Sequence, residues 1–230
     1  MRQERGAHEG RTPVRTVRYT RQVRSLQTSL LAAGDVAIDR HATADRRWLD
    51  DRTWVDVVRG YVSGADEVLV ALANDVDWRQ GRRKLFDRWV DEPRLSRWYR
   101  RADALPHPVL DDIAADLERR YRVTLRGPGL NHYRDGRDSV APHRDTELRW
   151  LDDTLVAIVT FGGRRPFHLR PVGGGASVDV APASGDLLVM GGRAQADWEH
   201  GVPKVRHADP RISASWRWSS RNGPAARRSR

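Results

Sequence analysis

The residues best placed to do chemistry lie in the stretch 131–147, which centres on His143-Arg144-Asp145. In an extended segment, residues two apart point to the same face, so His143 and Asp145 would direct an imidazole nitrogen and a carboxylate oxygen to one point. A third ligand would complete a face of two histidines and one carboxylate, which suits non-haem Fe(II) and leaves positions for substrate and oxygen. A His-x-Asp motif also arises by chance, so a turn histidine beside a surface aspartate is the alternative.

Two later histidines could supply the third ligand. His200 precedes Gly-Val-Pro-Lys, whereas His207 begins a second His-x-Asp motif that ends at Asp209, just before a proline. The spacing by itself leaves both histidines open.

The segment 210–218 alternates between two kinds of residue, as a strand with one polar and one apolar face does. The polar face would carry Arg211, Ser213, Ser215 and Arg217, and the apolar face Ile212, Ala214, Trp216 and Trp218. Two arginines on one strand face could hold a dicarboxylate through bidentate hydrogen bonds. An iron site beside such a clamp indicates 2-oxoglutarate as a co-substrate.

In order and spacing these motifs resemble the AlkB family of Fe(II)/2-oxoglutarate dioxygenases, which are oxidative nucleic-acid demethylases. The resemblance covers about residues 54–218. The matching pieces are Asp-Glu-Pro-Arg-Leu at 91–95, Asn-x-Tyr-x-x-Gly at 131–136, His-x-Asp-x-Glu at 143–147, Arg165-Pro-Phe-x-x-Arg170, Gly185-Asp-Leu-Leu-Val-Met190, Gln195, Trp198, His200, Pro203-Lys204 and Arg211-x-Ser-x-x-x-Arg217.

The resemblance implies roles for individual residues. It makes His143, Asp145 and His200 the iron ligands, because the family pattern places the last ligand before Val-Pro-Lys. The residues it implies around the co-substrate are Asn131, Tyr133, Arg211, Ser213 and Arg217. We expect Arg211 to hold the distal carboxylate and Arg217 the carboxylate nearer the metal. Several family members have asparagine at the position of Ser213, and serine offers less reach to the co-substrate.

The substrate side is also implied by the resemblance. Residues 77–107 correspond to the family's lid over the nucleobase, and the candidate substrate contacts are Phe86, Trp89, Tyr99, Glu147 and Arg165. The aromatics could instead be core residues beneath a loop, and Glu147 could be a solvent-facing strand end. The implied reaction oxidatively demethylates alkylated DNA or RNA with O2, releasing succinate, carbon dioxide and formaldehyde. The base must be single-stranded or flipped out of the duplex to reach the metal.

The elements that must position these residues differ between the two halves of the chain. From residue 129 onward, short strands punctuated by Gly and Pro predict a sandwich or jelly roll. Upstream, the pattern predicts a strand or its approach at 54–62, a helix capped by Ser63, and a helix from about Pro108 to Tyr121. The predicted fold is mainly β (α+β), a double-stranded β-helix or jelly-roll core with N-terminal helices and a lid.

We predict one dioxygenase domain at 25–220, with a helical and lid extension at 54–128 and the jelly-roll core at 129–218. A short helix could run from Leu26 to Gly34. Basic tails at 1–24 and 221–230 hold +9 of the net charge of +10, so they could be arms for nucleic acid or merely solvated ends.

Composition excludes several classes of protein. The absence of cysteine excludes disulfides, thiolate nucleophiles and cysteine-based zinc sites. No apolar run approaches the ~18–20 residues of a membrane-spanning helix, and no signal-peptide core follows the N-terminus. We therefore expect a cytoplasmic protein. We also expect it to be a monomer. Three alternatives stay open: a non-nucleic-acid substrate, a non-enzymatic jelly-roll binding module, and a cupin-type metal enzyme that does not use 2-oxoglutarate.

Overall fold

The computed structural model describes residues 35–221. The predicted tail at 1–24, the short helix predicted from Leu26 to Gly34 and all but the first residue of the tail at 221–230 lie outside this range. Among residues 35–221, no helix has both the length and the apolar character needed to cross a lipid bilayer.

Strands make up most of the regular structure. The strands are β1 (Ala37–Ile38), β2 (Asp45–Asp50), β3 (Thr53–Val58), β4 (Val62–Ser63), β5 (Arg82–Leu85), β6 (Arg88–Asp91), β7 (Leu95–Trp98), β8 (Gly129–Tyr133), β9 (Val140–His143), β10 (Asp153–Gly162), β11 (His168–Pro171), β12 (Val178–Asp179), β13 (Leu187–Gly192), β14 (Trp198–Val202) and β15 (Arg211–Ser220). The helices are α1 (Ala65–Asp75), α2 (Val109–Tyr121) and α3 (Ala194–Asp197).

Two antiparallel sheets organise the described chain. The major sheet has the strand order β2-β3-β13-β10-β15-β8-β7, and the minor sheet has the order β12-β11-β14-β9. Val156 and Ile158 of β10 pack in one buried cluster with Leu169 of β11 and Val202 of β14, so the two sheets share a core. This arrangement confirms the mainly β prediction.

The opposite face of the major sheet is covered by the helices. Leu155, Val159 and Phe161 of β10 pack in a second buried cluster with Leu72 of α1 and Ile113 of α2. Strand β10 is therefore buried on both faces, which explains why its sequence is a nearly continuous apolar run rather than an alternating one.

The helices begin close to where the sequence predicts, but one cap is different. Helix α2 follows Pro108, as expected. The predicted Ser63 cap of α1 is wrong: the capping residue is Gly64, with a φ of 64° and no side-chain cap. The Ser63 hydroxyl instead faces the carbonyl oxygens of Asp35 and Ala37, at 3.0 and 3.2 Å. Glycine adopts this left-handed conformation without steric cost, so it ends the preceding strand and starts the helix.

The predicted lid segment contains a hairpin and an edge strand. Strands β5 and β6 pair only with each other, and their two-residue turn is Phe86 and Asp87. Strand β7 pairs with β8 at the edge of the major sheet. Strands β3 and β7, which precede residue 129, belong to the major sheet together with strands that follow it.

Candidate metal and co-substrate site

His143, Asp145 and His200 come together between the two sheets. One potential ligand atom from each lies within 4.8 Å of the others. His143 ends β9 and is the register partner of His200 on β14, so strand pairing places the two imidazoles side by side, with ring centroids 4.3 Å apart. Asp145 follows two residues after His143, and its Oδ1 lies 3.5 Å from His143 Nε2. The alternation expected from the sequence thus brings imidazole and carboxylate to one point.

The local hydrogen bonds leave these groups able to bind a metal. His143 Nδ1 lies 3.0 Å from the carbonyl oxygen of Ala141, which can only accept, so Nδ1 carries the hydrogen and Nε2 keeps a free lone pair. His200 is 5% exposed, and its Nδ1 is buried without a hydrogen-bond partner. The backbone N–H of Asp145 donates to Gln195 Oε1 at 2.8 Å, which fixes the start of the loop that carries the carboxylate.

The surroundings hold two of the three groups, His200 and Asp145, in the protonation states that metal ligation needs. Burial, with the neighbouring His143, lowers the pKa of His200 to about 3, so His200 is neutral at physiological pH. Burial tends to raise the pKa of Asp145, but hydrogen bonds from His143 and Arg217 and their charges hold it well below its ordinary value. Burial tends to lower the pKa of His143, and its interaction with Asp145 raises it above the ordinary value. The donor set of two imidazoles and one ionised carboxylate fits Fe(II).

The competing histidine lies elsewhere. His207 is exposed and lines a surface depression together with Asp135, Arg137 and Asp209. It is not part of the three-residue cluster, which is the one group of potential metal ligands found in residues 35–221. The structure thus brings together the ligand set that includes His200.

Arg211 is an unusual charged residue on β15, the strand that also carries Arg217. It is fully buried, and Nη2 donates to Thr160 Oγ1 at 3.1 Å, but Nε and Nη1 have no hydrogen-bond partner. Burial lowers the pKa of Arg211 to about 10. Its guanidinium lies 5.9 Å from the ring centroid of Tyr133, which is also buried. A buried cation with unpartnered donors is costly unless an anion joins it, so these atoms fit a carboxylate of the co-substrate.

Arg217 lies on the same face of β15 but is already engaged. Its Nε donates to Asp145 Oδ2 at 2.5 Å, and its Nη1 donates to Ser215 Oγ at 3.0 Å. The predicted substrate residue Glu147 is exposed, and its Oε1 lies 3.8 Å from Arg217 Nε. Arg217 therefore holds a metal ligand directly, a contact that differs from the expected role of gripping a co-substrate carboxylate.

The remaining predicted co-substrate residues line the same part of the sheet. Ser213 is the register partner of Asn131, and Arg211 is the partner of Tyr133, so all four belong to the paired strands β15 and β8. Asn131 is half-buried, and its Oδ1 accepts a hydrogen bond of 3.0 Å from Arg94 Nε. The predicted pocket residues are thus adjacent, and Arg94 adds a cation that the predicted set did not include.

The predicted substrate contact Arg165 occupies a different place. It is 1% exposed and donates to three backbone carbonyls, those of Asp135, Asp138 and Pro203. Such a side chain is out of reach of a nucleobase, because it is buried and both of its terminal nitrogens donate to carbonyl oxygens inside the protein. Its position ties the loop after β8 to the segment after β14, so its effect on the site is exerted through the backbone.

The predicted lid aromatics divide into two groups. Phe86 is 89% exposed and Trp89 is 56% exposed, so the alternative that they are core residues is wrong for both. Tyr99 is partly buried against the cluster under the helices, which agrees with that alternative. The exposed aromatic that contacts Arg217 is Trp98, whose ring centroid lies 4.9 Å from the guanidinium. Nothing in the sequence alone favours Trp98 over Tyr99, because the pairing of β7 with β8 decides which of the two contacts Arg217.

A groove of about 530 Å³ runs beside the metal ligands. Its lining includes His143, Arg94 and Lys204, with Arg83 from the β5–β6 hairpin and Glu92. The hairpin therefore borders, through Arg83, the same groove that reaches His143.

Comparisons with known proteins agree with this geometry. The 2OG-Fe(II) oxygenase superfamily model matches residues 86–227. The chain is 33% identical over 174 residues to alpha-ketoglutarate-dependent dioxygenase alkB homolog 3 of Mus musculus, covering 66% of this chain and 61% of that protein. It is 28% identical over 177 residues to the DNA oxidative demethylase ALKBH2 of Homo sapiens, covering 66% of this chain and 68% of that protein.

A solved structure supports the fold. An oxidoreductase of the 2OG-Fe(II) oxygenase family from Burkholderia pseudomallei superposes with a TM-score of 0.51 at 16% identity, covering 74% of this chain and 86% of that one. This likeness confirms the predicted jelly-roll core. The chain spans about three fifths of the length of the alkB homolog 3 relative. With a matching family model across more than half its length, the chain belongs to the 2OG-Fe(II) oxygenase superfamily and is an AlkB-like member of it.

Proposed function

We propose that this protein is an Fe(II)/2-oxoglutarate-dependent dioxygenase that oxidatively demethylates alkylated bases in DNA or RNA. The observation that carries the proposal is the state of Arg211, a buried cation with two unpartnered donors on the strand that also binds Asp145 through Arg217. A buried charge of this kind needs a counter-ion. A dicarboxylate that reaches from the metal to Arg211 would supply it.

Each group of the chain has a distinct task in this proposal. His143, Asp145 and His200 hold the metal from one side. Arg211 donates to the distal carboxylate of 2-oxoglutarate, and Arg217 keeps Asp145 in place. When bound, Fe(II) with 2-oxoglutarate and O2 supplies the oxidising power that hydroxylates a base-bound methyl carbon, after which formaldehyde leaves and succinate and carbon dioxide remain as co-products.

Nucleic acid as the substrate is supported by the β5–β6 hairpin, which borders the groove beside His143 through Arg83. The exposed rings of Phe86 and Trp89 offer surfaces on which bases can stack, and the neighbouring cations can meet phosphates. One relative is named an alpha-ketoglutarate-dependent dioxygenase and another a DNA oxidative demethylase, and both names agree with the proposed reaction.

The position of Glu147 suits an alkylated base. Its carboxylate is 62% exposed beside Arg217, close to Asp145. A carboxylate at this point can accept a hydrogen bond from an exocyclic amine or balance the positive charge of a methylated base. The base must leave its stack to reach the metal, so a single-stranded or flipped nucleotide is the expected substrate. We expect the enzyme to act as a monomer in the cytoplasm.

The decisive experiment is formaldehyde release from methylated single-stranded DNA and RNA offered side by side to the full chain with Fe(II) and 2-oxoglutarate. We expect release that depends on both additions and is absent in Asp145→Ala. Turnover of 2-oxoglutarate without formaldehyde from either oligonucleotide would point to a non-nucleic-acid substrate.

Thermal unfolding with Mn(II) separates the remaining alternatives. Stabilisation by Mn(II) that increases with 2-oxoglutarate is the expected result. Stabilisation by Mn(II) alone would favour a cupin-type metal enzyme, and no stabilisation by either would favour a non-enzymatic binding module.

A further inference from the structure

An exposed tryptophan lies against the cation that holds a metal ligand. Trp98 ends β7 at the edge of the major sheet, is 56% exposed, and places its ring 4.9 Å from the Arg217 guanidinium. Trp98, Gly129 and Ser215 are successive register partners across β7, β8 and β15. Because Gly129 has no side chain, the indole lies across its backbone, where an added Cβ would be 2.5 Å from Trp98 Cζ3.

The contacts of Arg217 fix its guanidinium on three sides. One edge donates to Asp145 Oδ2 at 2.5 Å, another donates to Ser215 Oγ at 3.0 Å, and one face meets the indole of Trp98. The Ser215 hydroxyl in turn donates to the carbonyl oxygen of Gly129 at 3.1 Å. Because Arg217 binds Oδ2 of Asp145, the other carboxylate oxygen, Oδ1, faces His143 and lies 3.5 Å from its Nε2.

We infer that Trp98 is a positioning residue for the metal site, acting through Arg217. The indole restricts the plane of the guanidinium, the guanidinium restricts the Asp145 carboxylate, and the carboxylate then offers Oδ1 to the metal. Interactions of this kind behind a metal ligand typically change metal affinity, because they set the orientation of the ligand. The inference rests on metal binding by His143, Asp145 and His200 and does not depend on the substrate proposed above.

The chain offers a matched control for this role. Trp48 lies on β2, the opposite edge strand of the same sheet, and is 61% exposed. Among the ring contacts of the described residues, no cation lies over Trp48. Both tryptophans therefore lie on an edge strand of the major sheet and are similarly exposed. They differ because only Trp98 contacts an arginine.

The test measures Mn(II) affinity of the full chain by isothermal titration calorimetry, without oligonucleotide. A cation–π contact at a partly exposed site implies that Trp98→Ala weakens Mn(II) binding by about 3- to 30-fold. Trp98→Phe keeps a flat ring and should show a smaller loss, and Trp48→Ala should show none. Because Trp98 is an exposed edge residue, metal-free Trp98→Ala should remain fully folded at the temperature of the titration, which a thermal unfolding curve checks, so a loss of affinity reports positioning rather than unfolding.

Gly129→Ala tests the same contact without altering Trp98 or Arg217. The new methyl group would push the indole away, so Mn(II) affinity should fall in the wild-type background and should not fall further in Trp98→Ala. Equal losses in both backgrounds would mean that the alanine distorts β8, and would overturn the inference. An unchanged Mn(II) affinity in Trp98→Ala, with only a raised KM for a methylated oligonucleotide, would likewise overturn it and make Trp98 a substrate contact.

Discussion

The metal and co-substrate site and the β5–β6 hairpin border the same groove but are built in opposite ways. At the site, Asp145, His200 and Arg211 are at most 5% exposed. At the hairpin, Phe86 and Trp89 are at least 56% exposed. The cations of the hairpin that have no acidic partner within residues 35–221 are Arg83, Lys84 and Arg88.

This difference in burial indicates that the site and the hairpin have different functions, one in catalysis and the other in binding. Buried polar groups in fixed geometry are pre-organised for chemistry, and removing one that is paired leaves its partner unsatisfied. Exposed aromatics and cations adapt to a flexible polymer and act through affinity that depends on salt. Changes at the site should therefore affect turnover, and changes at the hairpin should affect binding.

Asp145→Ala should produce the largest effect. It removes the only carboxylate among the three ligands and leaves Arg217 without its buried partner. We expect turnover of 2-oxoglutarate, followed as succinate formation, to be abolished. His207→Ala is the matched control and should leave turnover nearly intact, since His207 is exposed away from the cluster. Loss of activity in His207→Ala with retention in His200→Ala would contradict the ligand assignment.

Arg211→Met should weaken the binding of 2-oxoglutarate and at the same time stabilise the metal-free protein. Loss of charge-assisted hydrogen bonds should raise the KM for 2-oxoglutarate by about 10- to 100-fold. The same change should stabilise the metal-free protein by about 1–4 kcal/mol, because an unpaired buried cation is replaced by an apolar side chain. Urea unfolding and steady-state kinetics measure the two effects. Arg170→Met, at an exposed pair with Glu199, should change neither, and an unchanged KM in Arg211→Met would remove the case for the clamp.

Replacing the three hairpin cations by alanine should leave the chemistry intact and weaken binding. If each meets one phosphate of a single strand, the slope of log affinity against log salt should fall by about 2. Fluorescence anisotropy of a labelled oligonucleotide at several salt concentrations measures this slope. The charge-matched control replaces Arg40, Arg47 and Arg52, exposed residues near the opposite edge of the major sheet. Equal slopes for the two triple variants would mean that the hairpin has no special role.

Removing the tails should give the smallest effect on catalysis. A protein of residues 25–220 loses +9 of the charge of +10, so it should bind long DNA or RNA more weakly and with a flatter salt dependence. Its turnover of a short methylated oligonucleotide at saturation should match that of the full chain. The same salt slope in both proteins would assign the binding to the hairpin and leave the tails as solvated ends.

The sequence predicted those parts of the site that depend on strand periodicity. His143 and Asp145 lie two apart, and Arg211, Ser213, Ser215 and Arg217 alternate along one strand, so their common faces follow from local geometry. The third ligand could be placed through the family resemblance, which favours His200 over His207.

Contacts between distant segments could not be predicted. The bond from Arg217 to Asp145 and the position of Trp98 over Gly129 depend on which strands pair and in which register. The burial of Arg165 depends on carbonyl oxygens from two separate segments, the loop after β8 and the segment after β14. The prediction that Ser63 caps α1 was wrong because Gly64, one residue later, adopts the left-handed conformation that starts the helix.

The buried guanidinium of Arg211, which has two donors without a partner, also affects how long the folded chain survives. A ligand that binds the folded state alone raises the free energy of unfolding by RT ln(1 + [L]/Kd), so a carboxylate that neutralises Arg211 stabilises the whole domain. Proteases that cleave transiently opened chains respond to that free energy. The amount of intact protein should therefore follow the supply of 2-oxoglutarate, which would make a metabolite both a reactant and a determinant of protein abundance.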